Sequence, residues 1–172
     1  NGMARGLIPM DHPLFFNRTR AAAMRDSDVV VLAGTVLDFR MKFGRAIPEA
    51  TKIIQLDLDE TLIGQNRPAD VGLVGNLGAN LTQLLDVLSA RGVTLDHGAY
   101  TAGLRVAEDA AEAKLATELL SDEVPIDPLR LCKEIADFVD DEMIVIGDGG
   151  DIVAQASKVL RVPKNGGWMD PG

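Results

Sequence analysis

Lys52-Ile53-Ile54-Gln55-Leu56-Asp57-Leu58-Asp59 decides the fold: it is a short, almost continuously apolar run that ends in carboxylates. Such a run is short for a helix and too apolar for a strand with one wet face, so it predicts a parallel-sheet strand buried on both sides. The pattern recurs at residues 28–34 (DVVVLAG), 71–75 (VGLVG) and 143–147 (MIVIG). Helical patterns lie between and beside these strands. Residues 14–25 form one, and Asn76 is a good N-cap for a second that carries Leu77, Leu81, Leu84, Leu85 and Leu88 at helical spacing. Asp127-Pro128 opens a third, with Leu131, Ile135 and Phe138 down one face, and Ile152, Ala156, Val159 and Leu160 do the same after Asp151. Strands alternating with helices predict an α/β layered architecture.

Residues 91–103 (RGVTLDHGAYTAG) show little periodicity and contain glycine turn signals, so a domain boundary is expected there. Residues 106–120 are rich in Ala and Glu and predict a helix that bridges rather than joins a core. The expected organisation is a first domain over 1–90, a linker with a helix over 91–124, and the start of a second domain over 125–172. One strand and two helices are too little to close a core in that last part. The chain opens on Asn1 and its residues from Gly166 onward are turn-rich, which suggests a piece of a longer polypeptide.

A length of 172 residues suits one domain and a fraction of another. With 47% hydrophobic and 25% charged residues and a mean hydropathy of +0.09, the chain is globular rather than disordered or fibrous. No apolar run approaches the ~18 residues of a membrane helix. Cys132 is the only cysteine, so no internal disulfide is predicted, and these features together predict a cytoplasmic protein. The net charge of -9 comes from residues 108–142, where twelve Asp or Glu stand against three Lys or Arg. Such a surplus makes a solvated helical face and argues against a nucleic-acid partner, whose phosphates need clustered cations.

Chemistry is expected where the parallel strands end. Gly34-Thr35-Val36-Leu37-Asp38 follows the first strand. A glycine there lets backbone approach a ligand closely, and Asp38 lies beyond the carboxyl end, where parallel sheets bind ligands. The next strand ends in Asp57-Leu58-Asp59, and a carboxylate at that place is the usual acceptor for ribose hydroxyls. The two strand ends together suggest a nucleotide site. Equally open is that these carboxylates only cap the segments after them, since neither Gly-x-Gly-x-x-Gly nor a Walker loop is present. Gly147-Asp148-Gly149-Gly150-Asp151 is a glycine-rich turn whose amides suit a phosphate; a tight turn without ligand fits as well, because the two aspartates repel anions. His12 and His97 have no Cys or acidic partner at metal spacing, so neither is a metal ligand. Cys132 and Trp168 are expected to be packed core residues.

In order, Ala4-Arg5-Gly6-Leu7-Ile8-Pro9, Asp11-His12-Pro13, Asp26-Ser27-Asp28 and residues 34–38 resemble the central domain of thiamine-diphosphate enzymes of the acetolactate synthase group. Residues 50–59, Ile63-Gly64-Gln65-Asn66 and Asp70-Val71 strengthen the resemblance, which extends to about residue 88. Residues 146–151, followed by Gly167-Trp168-Met169-Asp170-Pro171-Gly172, resemble the opening of the same enzymes' diphosphate-binding domain.

That resemblance implies a Rossmann-like, parallel-sheet central domain with a partial second α/β domain. It implies thiamine diphosphate with Mg2+, and FAD in the central domain, or ADP there in the acyl-CoA lyase branch. The positions aligned with nucleotide contacts are Asn1, Gly2, His12, Gly34, Thr35, Val36, Leu37, Asp38, Asp57 and Leu58. Asn76 stands where flavin-binding relatives carry an acid, and Gly150 and Asp151 align with thiamine contacts. Gly147-Asp148-Gly149 matches only the start of the family's metal motif, because Asn165 comes too early, so no metal ligand is assigned. No catalytic residue is assigned either, since the activating glutamate belongs to another domain, and the segment alone is expected to be silent. The implied enzyme decarboxylates a 2-keto acid, transfers or releases the acyl carbanion, and works as a homo-oligomer (dimer or tetramer). Two alternatives stay open. One is a 2-hydroxyacyl-CoA or oxalyl-CoA lyase with ADP in the central domain; the other is a non-catalytic nucleotide-binding regulatory module.

Overall fold

A computed structural model describes residues 4–170. The elements are α1 (Arg20–Arg25), β1 (Val29–Ala33), β2 (Lys52–Asp57), β3 (Val71–Val74), α2 (Leu77–Ala90), α3 (Gly98–Glu118), α4 (Pro128–Phe138), β4 (Val145–Ile146), α5 (Asp151–Val159) and β5 (Trp168–Met169). Short 3-10 turns lie within Phe39–Gly44, broken by left-handed backbone at Lys42 and Phe43, and at Glu60–Leu62. Two compact units result, one of Thr19–Leu104 and one of Asn1–Arg18 with Arg105–Gly172. Both contain parallel strands and helices, so the α/β class holds.

In the unit Thr19–Leu104 the strands β1, β2 and β3 form a parallel sheet in that order, with Val29 level with Lys52 and Ile54 level with Val71. This register puts Val30, Leu32 and Ile53 on one face, where they pack with Met24, Leu37 and Ile47. Val29 and Val31, on the other face, are 49% and 46% exposed. That corrects the expectation of two-sided burial for β1, whereas β2 keeps it, with Ile53 and Leu56 buried on opposite faces: an apolar, β-branched run specifies a strand, but its second cover is set by what packs there. Gln55 is buried inside β2 with both amide atoms satisfied, Nε2 donating to Leu62 O at 2.9 Å and Oε1 accepting from Gly64 N at 2.8 Å. The turn after β2 is thereby pinned to the strand.

Asp70, just ahead of β3, accepts from Lys52 Nζ at 2.8 Å and from the Ile53 amide at 2.9 Å. The lysine first, then the amide, hold its carboxyl below the ordinary range. A carboxylate depressed on folding contributes stability above its unfolded value of about 4, and that contribution is lost as pH falls through the folded value. Asp70→Asn is therefore expected to shrink the drop in urea midpoint between neutral and acid pH; an unchanged acid limb would refute the assignment.

In the other unit β4 and β5 pair in parallel, Val145 with Trp168 and Ile146 with Met169. Cys132, Val153, Val159, Leu160, Val162 and Trp168 make its core. Cys132 is fully buried, as expected, and burial pushes its thiol up. Glu108, also buried, accepts from the amides of Asn17 at 2.9 Å and Arg18 at 2.8 Å. This corrects the helix expected over 14–25, which is helical only at Arg20–Arg25. Amides turned toward a side-chain carboxylate cannot also close the helical ladder. The helix expected over 106–120 starts earlier, at Gly98, whose amide donates to Asp96 at 2.9 Å. Nor is it only a bridge, since it buries Leu104, Glu108 and Leu115.

Candidate functional site

The carboxyl ends of β1, β2 and β3 are brought level by the ladder. The Gly34 amide donates to Leu56 O, and the Gly75 amide donates to Asp57 O, each at 2.8 Å. Asp57 thus sits at the end of the central strand, half-buried, between two glycines. Its Oδ1 accepts a long bond of 3.2 Å from the Asp59 amide. No hydrogen bond reaches its other oxygen among the described residues, which leaves an acceptor facing the rim.

Gly34 has φ +60, and a Cβ there would lie 2.7 Å from Leu77 Cδ1. The positive φ favours glycine here, and the Leu77 side chain from the first turn of α2 packs against the place a Cβ would take. Asn76 caps that helix, its Oδ1 accepting from the Ala79 amide at 3.0 Å. Asn76→Ala should therefore cost about 1 kcal/mol by thermal or urea unfolding; an unaltered midpoint would show that the cap contributes nothing. Asn80, in the same turn, has a buried Nδ2 with no hydrogen-bond partner. That amide lies 3.7 Å from where a Cβ on Gly75 would stand. A buried donor without a partner calls for an explanation. The sequence reading missed it, because nothing in an Asn one turn into a helix announces an unsatisfied amide.

The remaining expected positions fall as follows. Asp38 caps the 3-10 turn Phe39–Gly44, accepting from the Arg40 amide and Nε at 2.9 Å and from Arg40 Nη2 at 2.5 Å. Arg40 first, through its side chain, keeps the Asp38 carboxyl below the usual carboxylate range. Its oxygens are thus engaged locally. Leu37 is a core side chain, 1% exposed, and offers the rim only backbone, its carbonyl accepting from Asn66 Nδ2 at 3.0 Å. Thr35 and Val36 are half-buried, and Leu58 is exposed. Asn1 and Gly2 lie outside the described residues. His12, Gly150 and Asp151 belong to the other unit. His12 is exposed, with Nδ1 accepting from the Leu14 amide at 3.1 Å. Gly150 is the N-cap of α5 without a side-chain cap, and Asp151 is its exposed first residue.

Two groups can be tested against these residues. A nucleotide fits the sheet rim in part: Asp57 offers a carboxylate oxygen to a ribose hydroxyl, while Asp38 is already held by Arg40. A diphosphate fits the β4–α5 turn along one edge. Nothing lies within 4 Å of a Cβ built on Gly149 or Gly150, so the turn is open, and the first-turn amides of α5 have no side-chain cap. Asp148 and Asp151 oppose an anion there unless a cation lies between. Among the described residues no group of three or more His, Cys, Asp or Glu is placed to hold a metal ion.

Residues 1–84 match the family model described as "Thiamine pyrophosphate enzyme, central domain". Over 172 residues the chain is 35% identical to a "Probable acetolactate synthase" of Mycobacterium bovis, all of this chain aligning with 30% of that protein. The same identity and shares hold for the acetolactate synthase large subunit IlvG of Mycobacterium tuberculosis. A 2-hydroxyacyl-CoA lyase 2 of Caenorhabditis elegans is 33% identical over 178 residues, 99% of this chain and 28% of its own length. The chain therefore spans about 30% of the length of these curated relatives.

Proposed function

We propose, because the chain belongs to the thiamine-diphosphate enzymes of the acetolactate synthase family, that it forms the nucleotide-carrying middle of one such enzyme and the opening of its diphosphate-binding domain. The whole enzyme decarboxylates a 2-keto acid and transfers or releases the acyl carbanion. Identity of 35% sustained over all 172 residues with acetolactate synthases carries this reading. In it, residues 1–90 are the central domain, 91–124 the linker and 125–172 the start of the diphosphate-binding domain.

Thiamine diphosphate supplies the electron sink that lets a 2-keto acid lose carbon dioxide, chemistry no side chain performs unaided. The residues of this chain bind and orient. The open turn at Gly149 and Gly150 and the first amides of α5 would hold an edge of the diphosphate. Asp57 accepts a ribose hydroxyl of FAD, while Gly34 and Gly75 keep side chains off that part of the rim. Asp57→Ala should weaken nucleotide binding by about 1–3 kcal/mol in a calorimetric titration, and unchanged affinity would remove Asp57 from the site. Assembly as a homo-oligomer in the cytoplasm completes the reading. No helix of the described residues is long and apolar enough to cross a membrane.

A second reading, a 2-hydroxyacyl-CoA lyase with ADP in the central domain, draws on the 33% identity to such a lyase over 99% of the chain. The neutral Asn76 at the rim favours it too. The intact polypeptide, supplied with thiamine diphosphate and Mg2+, separates the two. Carbon dioxide release from a 2-keto acid and bound flavin absorbance support the first; cleavage of a 2-hydroxyacyl-CoA by a colourless protein that releases ADP on denaturation supports the second. Neither activity would overturn both.

A further inference from the structure

Within the unit Thr19–Leu104 a second cleft, of ≈ 590 Å³, lies between residues 43–49 and 66–68, and neither cofactor reading uses it. Its walls carry cations without matching carboxylates. Arg45 on the rim is exposed and makes no ion pair or side-chain hydrogen bond among the described residues. Arg67 spends its guanidinium donors on backbone carbonyls, those of Gly44 at 3.2 Å, Pro48 at 2.7 Å, Thr51 at 3.3 Å and Ile47. Its charge is fixed in place without a carboxylate to cancel it. Glu49 is the single acid of the lining, so cations lead there in a chain of net charge -9.

The backbone of the same cleft is strained. Lys42 (φ 50), Phe43 (φ 54) and Gly44 (φ 84) form a left-handed turn on one wall, and Asn66 (φ 66) repeats the conformation on the other. Gly44 has no alternative, because a Cβ would stand 2.9 Å from Arg67 Cβ and 3.2 Å from Leu37 Cδ1. Lys42 and Phe43 are different: glycine or asparagine would take their backbone conformation at lower cost. Strain retained under large side chains points to a use for those side chains. The turn leaves the Phe43 ring 48% exposed beside Arg45.

We propose that this cleft binds the phosphate of a phosphorylated metabolite bearing a planar ring, with Arg45 as the hydrogen-bonding cation, Arg67 as the fixed charge behind it and Phe43 as the stacking face. A guanidinium fork matches phosphate oxygens in pairs, and an exposed phenyl ring supplies an apolar surface for a heterocycle. Neither Asp57 nor the sheet rim takes part in this binding.

Amide NMR shifts of the full chain, titrated separately with inorganic phosphate, ADP and adenosine, test it. Phosphate should move the amides of Phe43, Arg45 and Arg67 saturably, and ADP should do so at lower concentration because it adds the ring. Arg45→Gln should raise the phosphate Kd about tenfold. Phe43→Leu should weaken ADP while leaving phosphate unchanged, and Arg91→Gln, an exposed control at the end of α2, should alter neither. Linear, non-saturating shifts, or equal losses in the Arg45 and Arg91 variants, would overturn the proposal. Phosphate alone tests this cleft and adenosine alone tests the rim, so the two readings fail separately.

Discussion

Trp168→Ala is expected to destabilise the unit of Asn1–Arg18 with Arg105–Gly172 by about 3–5 kcal/mol, as large aromatic truncations in cores do. Small domains have only about 5–15 kcal/mol in total, so most of this unit's stability would go. Trp168 is 1% exposed and occupies half of a strand only two residues long. It shares a core with Cys132, Val153, Val159, Leu160 and Val162, residues too small to close over the space it would vacate. A Cβ on Gly147 would stand 3.5 Å from Trp168 Cζ2, so the ring packs against the end of β4 as well. The Arg5 guanidinium lies over the ring, 4.8 Å from its centroid. Burial lowers the pKa of Arg5, and without the ring that cation loses the contact. Urea unfolding followed by far-UV circular dichroism is the measurement, since Trp168 is the only tryptophan. Trp168→Phe should recover much of the loss. A midpoint unmoved in Trp168→Ala would mean that the core closes without its largest member.

The sheet strands were legible because a parallel strand is local information. Residues 52–59 and 28–34 contain little else that their apolar runs could become, and both pair in register as parallel neighbours. The caps at Asn76 and Asp127 were legible for the same reason, each accepting amides from its own first turn. What escaped depended on distant partners. The late start of the helix expected from residue 14 is set by Glu108, some ninety residues away in sequence. Gly98 opens a helix that looked like loop because its first turns carry no apolar stripe, and β5 is too short to show a period. The rim followed the same rule. Gly34 and Asp57 were singled out by their place at strand ends, and the ladder does put them side by side. The occupation of Asp38 by Arg40 was two residues away and went unweighed, while the orphaned amide of Asn80 needed coordinates to find.

Arg67→Ala is expected to cost the unit Thr19–Leu104 about 3 kcal/mol, because hydrogen bonds from a charged donor contribute roughly 1.5–3 kcal/mol each and several here share one side chain. The guanidinium ties together the carbonyls of Gly44, Ile47, Pro48 and Thr51, which otherwise belong to a stretch with little regular structure between β1 and β2. Its removal leaves those carbonyls without their donor and opens the space against which Gly44 is packed. The left-handed turn at Lys42 and Phe43 then keeps only its backbone bonds, such as that from the Phe43 amide to Asp38 O at 2.8 Å, and it should loosen. Hydrogen exchange should show this as faster exchange confined to residues 42–51, with β2 itself still protected. Arg67→Lys is the informative companion. Lysine keeps the positive charge but is a single point that cannot reach the carbonyls of Gly44, Ile47, Pro48 and Thr51 together. It should therefore lose nearly as much stability as alanine. If it also loses the phosphate response, the arginine matters as the brace that aims Arg45 and Phe43. A lysine variant that folds as stably as the parent would show that charge, rather than the planar fork, holds the loop.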